Sequence, residues 1–145
     1  MKQAVSLVPY GVLYKVLPSL TGYLETSEMW TKGRASVDDI IRFLYTGQMN
    51  LWMVYDESTL DTLGFLITEI KQYPQCSMLV CQYCAGSYGS LAGIGDTVFE
   101  VIERFAKDAG CVGIEFFGRP GWRRHAENHG CTTQTVVYEK YFDEV

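Results

Sequence analysis

The stretch Ser90–Phe117, SLAGIGDTVFEVIERFAKDAGCVGIEFF, constrains the fold most, because it reads as loop, helix and strand in immediate succession. Gly93 and Gly95 bracket Ile94 just ahead of a helix. Val98, Val101, Ile102, Phe105 and Ala109 then recur at helical spacing and give that helix one apolar face. Gly110 is placed to end it in the left-handed conformation, and Cys111–Phe117 follows as a short buried strand. A glycine loop feeding a helix delivers unpaired N–H groups and the positive end of the helix dipole to one place, the physical requirement for holding a phosphate.

A chain of 145 residues is expected to form one domain, 1–145, with a substantial core. Its net charge of −5 and pI near 5.0 argue against nucleic acid or an acidic membrane surface as partner. No apolar run approaches the roughly 18–20 residues that span a bilayer. Met1–Tyr10 carries one Lys and no long apolar core, so it does not read as a signal peptide. A cytoplasmic setting is the expectation. The five cysteines are odd in number and sit on apolar segments, as reduced thiols do. Cys81-x-x-Cys84 has no second Cys-x-x-Cys to complete a zinc site and reads as a strand with two small side chains. His125 and His129 share a helix face, but HAENH is not His-Glu-x-x-His. They read as an incidental surface pair, and no metal is expected.

In chain order, a strand near Ala4–Val8 precedes a helix carrying Leu13, Val16, Leu17, Leu20 and Leu24, with Pro18 inside it predicting a kink or break. Met29–Ala35 reads as a loop. Ser36 is placed as an N-cap, with Asp38 and Asp39 in the first turn; Ile40, Ile41, Phe43 and Leu44 pack this second helix, and Gly47 closes it. Asn50–Tyr55, Leu63–Tyr73 and Ser77–Cys84 read as three strands, the first two joined by a polar turn at 56–61. Trp122–Asn128 reads as a short helix and Thr132–Tyr141, rich in β-branched residues, as a last strand. Hairpin-like neighbours followed by a strand–helix–strand crossover give an α/β fold with a mixed, mostly antiparallel sheet flanked by helices.

This order and spacing resemble the Gcn5-related N-acetyltransferase (GNAT) family. Its acyl-coenzyme A loop, Gln/Arg-x-x-Gly-x-Gly/Ala, is matched by Ser90-Leu91-Ala92-Gly93-Ile94-Gly95. A closer resemblance is to GNAT-like proteins of tailed bacteriophages. It rests on Leu51-Trp52-Met53-Val54, Thr68-Glu69-Ile70-x-x-Tyr73-Pro74, Phe105-Ala106-x-x-x-Gly110-Cys111, Glu115-x-x-Gly118-Arg119-Pro120-Gly121-Trp122 and the terminal Val136-Val137-Tyr138-Glu139-Lys140. It covers residues 36–141, whereas residues 1–35 contribute a compatible helical pattern. The resemblance implies acetyl-CoA as cofactor, held at Ser90, Gly93, Ile94, Gly95 and Asp96. It also implies a virion- or assembly-associated protein with phage structural proteins as partners, in a host bacterial cytoplasm or in the virion.

The catalytic half of such a scaffold is less complete. Acyl transfer to an amine needs a base for the ammonium and an acid for the leaving thiolate. Ala126 stands where many family members carry the tyrosine acid, and Ser77–Cys84 carries no carboxylate. Glu69 and Glu115, on neighbouring strands, are the candidate bases; each reads equally as a structural partner of Arg119 or Arg123. Tyr83 and Tyr88 are alternative acids. Ser90 replaces the usual basic or amide residue, and Asp96 puts a carboxylate near the phosphates or simply favours the first helical turn. Arg119, Trp122, Arg123 and Arg124 form an anion- or partner-binding candidate, with Trp122 plugging the core as the structural alternative. Three functions stay open: a phage component with catalysis reduced or lost, an active N-acetyltransferase, and a regulatory binding module.

Overall fold

Ser36 starts a helix by the mechanism its sequence predicts. Its hydroxyl accepts the Asp39 amide at 3.1 Å, and the Asp39 carboxylate accepts the Ser36 amide at 3.0 Å, closing a capping box. These bonds, with Arg42 beside them, hold the Asp39 carboxyl below its ordinary pKa. The helix ends at Gly47, which adopts φ 81° as C-cap. In the computed structural model, which describes residues 2–31, 33–86, 96–117 and 123–143, this is α2 (Val37–Thr46).

The other elements are β1 (Gln3–Leu7), α1 (Leu13–Thr31, entered through a 3₁₀ turn at Tyr10–Val12), β2 (Asn50–Asp56), β3 (Thr62–Gln72), β4 (Ser77–Gly86), α3 (Asp96–Asp108), β5 (Gly113–Phe116) and α4 (Arg123–Asn128). The strands form one sheet in the order β1-β2-β3-β4-β5. The first four are antiparallel to their neighbours, and β5 lies parallel to β4. The mixed, mostly antiparallel sheet is thus as expected.

Strand alternation sends side chains to two faces. On one, Trp52, Val54, Leu66 and Leu79 pack against Val98, Phe99, Ile102 and Ala106 of α3. On the other, Leu51, Phe65 and Ile67 pack against Leu13, Leu20 and Leu24 of α1 and Ile40 and Leu44 of α2. The buried stripe of α3 is rotated slightly from the expected one: Phe99 and Ala106 are in it, and Ala109 is exposed. Gly110 ends the helix region with φ 82°, as expected.

Three expectations are corrected. Pro18 does not break α1, which runs through it. The carbonyl that Pro18 leaves without its amide belongs to Tyr14, an exposed residue, while Leu13, Leu20 and Leu24 hold the helix on the sheet from either side. Met29–Ala35 is not wholly loop, because α1 extends to Thr31. Thr132–Tyr141 is not a strand: it joins no sheet, and its β-branched composition is not matched by a covered face. Residues 1–35 supply β1 and α1 and so belong to the sheet and its cover.

Two sequence motifs meet inside the α3 face. The Trp52 Nε1–H donates to Thr68 Oγ1 at 3.0 Å, with Thr68 fully buried. The register sets Trp52 opposite Leu66, so Thr68 is its diagonal neighbour. Thr68→Val keeps the shape and strips the indole of its acceptor. It should destabilise the fold by about 1–3 kcal/mol, and adding Trp52→Phe should cost less than the two singles summed. Urea unfolding of the four proteins measures this; strict additivity would show the bond to be inconsequential.

Candidate functional site

The site is shaped by a mismatch along β4. On one side β3 accompanies it from Ser77 to Gly86. On the other, β5 pairs only over Met78–Cys81, matched to Gly113–Phe116, and β4 then runs on to Gly86 without β5 alongside. Where the two part, β4 bulges. Thr68 faces Cys81 and Ile67 faces Tyr83, so Gln82 is the extra residue. Between the sheet and α3, next to the parting, lies an apolar hollow of about 10 Å³ lined by Leu66, Cys81, Val98, Phe99, Ile102 and Phe116, room for one water at most. Burial pushes the Cys81 thiol pKa up and keeps it protonated.

The bulge turns Gln82 towards Glu69. Its Nε2–H donates to Glu69 Oε2 at 3.2 Å, and Gln48 donates to Oε1 at 3.4 Å. Two amides therefore orient the carboxylate without neutralising it. Glu69 shares the α1/α2 face with Ile67. Tyr83, the residue after the bulge, packs on that same cluster. Burial, then the charges of Glu69 and Asp39, push its phenol pKa up, so it stays a proton donor.

Glu115 lies in the same row. Val80 faces Glu69 on β3 and Glu115 on β5, which puts both carboxylates on one face with buried Val80 between them. At ordinary strand spacing their Cα atoms are about 10 Å apart. Glu115 accepts from Tyr73 Oη at 2.8 Å, and Lys71 Nζ lies 5.1 Å from the Tyr73 ring centroid.

The described partners of the two glutamates are Gln48, Gln82 and Tyr73, while Arg123 pairs with Glu127 at 2.9 Å within α4. Arg124 is exposed on the same helix. Arg119 and Trp122 lie outside the described residues, as do Ser90, Gly93, Ile94, Gly95 and Tyr88. Asp96, the first residue of α3, is described. Its side chain is 88% exposed, and His129 Nδ1 lies 3.4 Å from its carboxylate.

His129 is no incidental surface residue. It stacks on Phe99 with centroids 3.9 Å apart and only 11% of its side chain exposed. The apolar register of α3, which puts Phe99 at its first turn, is what draws it in. The side chain of His125 lies outside the described set. Ala126 is half-buried in α4, and its carbonyl accepts the amides of His129 and Cys131. Among the described residues, no three His, Cys, Asp or Glu side chains converge as metal ligands do.

Sequence reading missed Gln48, Gln82 and Tyr73 as members of the site. Tyr73 carried a signal, since it and Glu115 fall in two of the motifs singled out. Gln48 and Gln82 carried none: a bulge has no reliable residue signature, and alternation counted from Ser77 does not reveal that Gln82 and Tyr83 both lean to the α1/α2 face.

The Tyr73 phenol pKa is raised above its ordinary value, first by its bond to Glu115 and then by desolvation and the glutamate charge. With the folded value above the unfolded one, the contact contributes fully below the unfolded tyrosine pKa and is lost as pH rises through the folded value. Phenolate absorbance should show two tyrosines, Tyr73 and Tyr83, titrating late, and Glu115→Gln should bring one of them back towards the ordinary range of about 10. An unchanged titration in that variant would remove Glu115 as the cause.

No protein-family model matches the chain, and no curated protein matches it in sequence. Solved structures do match in fold. Glucosamine-6-phosphate N-acetyltransferase from Arabidopsis thaliana aligns with a TM-score of 0.64 at 14% identity, over 99% of this chain and 100% of that one. Ribosomal-protein-alanine N-acetyltransferase from Brucella melitensis aligns at 0.65 and 13% identity, over 98% and 100%. A predicted acetyltransferase with acetyl-CoA from Clostridium acetobutylicum aligns at 0.66 and 11% identity, over 97% and 96%. At these identities the likeness establishes the fold, which is that of the GNAT acetyltransferases, with its mostly antiparallel five-stranded sheet flanked by helices.

Proposed function

We propose that this protein binds an acyl-coenzyme A, acetyl-CoA in the first instance, and transfers the acyl group to a primary amine. The observation that carries this reading is the parting of β4 from β5 at Cys81 and Phe116, beside a carboxylate held by two amides. Beyond Cys81, β4 runs on without β5 alongside, where a pantetheine arm would lie, and the first turn of α3 would turn its N–H groups to the phosphates. Ser90, Gly93, Ile94 and Gly95 would complete the phosphate cradle from main-chain donors. Asp96 stands at its rim beside His129. The thioester supplies an activated acyl carbonyl and a stable thiolate leaving group.

Glu69 takes the proton that an ammonium must lose before its nitrogen can attack that carbonyl. Its carboxylate is oriented by Gln48 and Gln82 and stays available as an acceptor. Tyr83, one residue past the bulge and kept protonated by burial and by Glu69, is placed to return a proton to the leaving thiolate. Glu115 is engaged by Tyr73 and reads as its structural partner.

A second reading, a virion- or assembly-associated phage component with catalysis reduced or lost, is favoured by Ala126, which cannot donate a proton where the resemblance looks for a tyrosine. Arg124, exposed at the start of α4, suits an acidic docking partner in that reading.

The two are separated by binding and turnover measured together. Acetyl-CoA should raise the melting temperature of the wild type and not of Gly95→Glu. With a panel of primary amines, thiol release should fall by about 10²–10⁴-fold in Glu69→Gln while coenzyme affinity is retained. Binding without turnover on any amine would favour the second reading. No thermal shift at saturating coenzyme would overturn the first.

A further inference from the structure

His129 carries a titratable ring that takes no part in the acyl transfer described above, yet it is closely held. The ring lies nearly parallel to that of Phe99, 8° between planes with centroids 3.9 Å apart, and 11% of the side chain is exposed. The backbone around it is fixed as well. The His129 and Cys131 amides both donate to the Ala126 carbonyl at 3.0 Å, Gly130 turns the chain with φ 82°, and Cys131 packs on the α3 core. The imidazole therefore meets the first turn of α3 from a set direction, and its Nδ1 lies 3.4 Å from the Asp96 carboxylate.

Asp96 has two opposed effects in that turn. A carboxylate there suits the helix dipole but repels a phosphate, and its side chain is 88% exposed where the coenzyme phosphates would arrive. At i+4 and i+7 from Asp96, α3 brings Glu100 and Glu103 to the same flank. Burial, then the charge of Glu103, push the Cys131 thiol pKa up. α4 brings Glu127, paired with Arg123, and β5 brings Phe116 against Phe99, without charge. Among the described residues, Asp96 is the carboxylate that His129 meets. An imidazolium at that distance offsets the Asp96 charge, and a neutral ring does not.

We propose that His129 is a positioning residue for the coenzyme: its protonated ring cancels the charge of Asp96 at the phosphate site, so that acetyl-CoA binding takes up a proton at His129. The phosphates in turn favour the charged ring, and this coupling is reciprocal. The stack on Phe99 holds the ring in both charge states, so the change is one of charge and not of fold. The proposal rests on the acyl-coenzyme A reading, because it needs a phosphate at the start of α3.

Calorimetric titration of acetyl-CoA into the full chain tests this across about pH 5.5–8, where histidines change charge. Asp96→Asn is the reference, since the coenzyme's own phosphate titration is the same in both proteins. Relative to it, wild-type affinity should fall by roughly 5-fold or more as pH rises. Heats in buffers of different ionisation enthalpy should show proton uptake by the wild type in excess of that by Asp96→Asn. His129→Phe keeps an aromatic ring on Phe99 and removes the charge; at low pH it should bind as weakly as the wild type does at high pH. Adding Asp96→Asn to it should restore the affinity, whereas a merely structural histidine would leave the two effects additive. Asp96→Asn alters an exposed side chain, so its pH profile decides the matter whether or not His129→Phe folds. Parallel pH profiles for the wild type and Asp96→Asn, or a His129→Phe loss that Asp96→Asn does not restore, would overturn the proposal and leave the acyl-coenzyme A reading standing. No binding of acetyl-CoA at any pH would overturn both.

Discussion

The architecture depends on β4 having two unequal neighbours. β3 holds it along its full length, while β5 holds it over four residues and then leaves. Backbone groups in a sheet interior are ordinarily paired, so an interior strand that outruns one of its two neighbours is a place for something else to lie alongside. The bulge at Gln82 falls at the point of departure. It also aims Gln82 and Tyr83 at the face where Glu69 stands. The departure of β5 and the chemistry beside it therefore meet at one backbone irregularity.

The residues that carry the sequence resemblance prove to be linked through space. Trp52 reaches Thr68, Tyr73 reaches Glu115, and Glu69 and Glu115 flank Val80 in one row. Motifs that look separate along the chain are thus parts of one cross-strand arrangement. One bond secures the α3 side of the sheet, and the others lie on the α1/α2 side. That distribution explains why each motif alone is uninformative while the set points to one fold.

Much of the fold was legible because local chemistry and tertiary packing agree. Ser36 and Gly47 bound α2 as their side chains dictate, and Val98 and Ile102 lie on the buried stripe of α3. Where the two disagree, sequence reasoning failed. Pro18 disfavours helix locally, but leucines on both sides of it keep α1 on the sheet. Thr132–Tyr141 favours strand locally, but among the described residues it pairs with no strand. Of the site, Glu69 and Glu115 could be named as carboxylates on the two strands beside β4; their common face and their partners could not. Those depend on register, which one extra residue in β4 resets and composition does not record.

The pairing of β1 has a consequence for the order in which the chain assembles. Gln3 sits opposite Asp56 and Leu7 opposite Trp52, so β1 leaves the ribosome before its partner β2. The β2–β3 and β3–β4 connections are short, and these hairpins close at small loop-entropy cost. β1 must wait for them across a much longer loop that includes α1 and α2. The expected sequence of events is a β2–β3–β4 meander first, with the N-terminal strand added to its edge afterwards. A strand made before its partner and seated late leaves the β2 edge open during synthesis, and that edge is where a misfolded contact would begin.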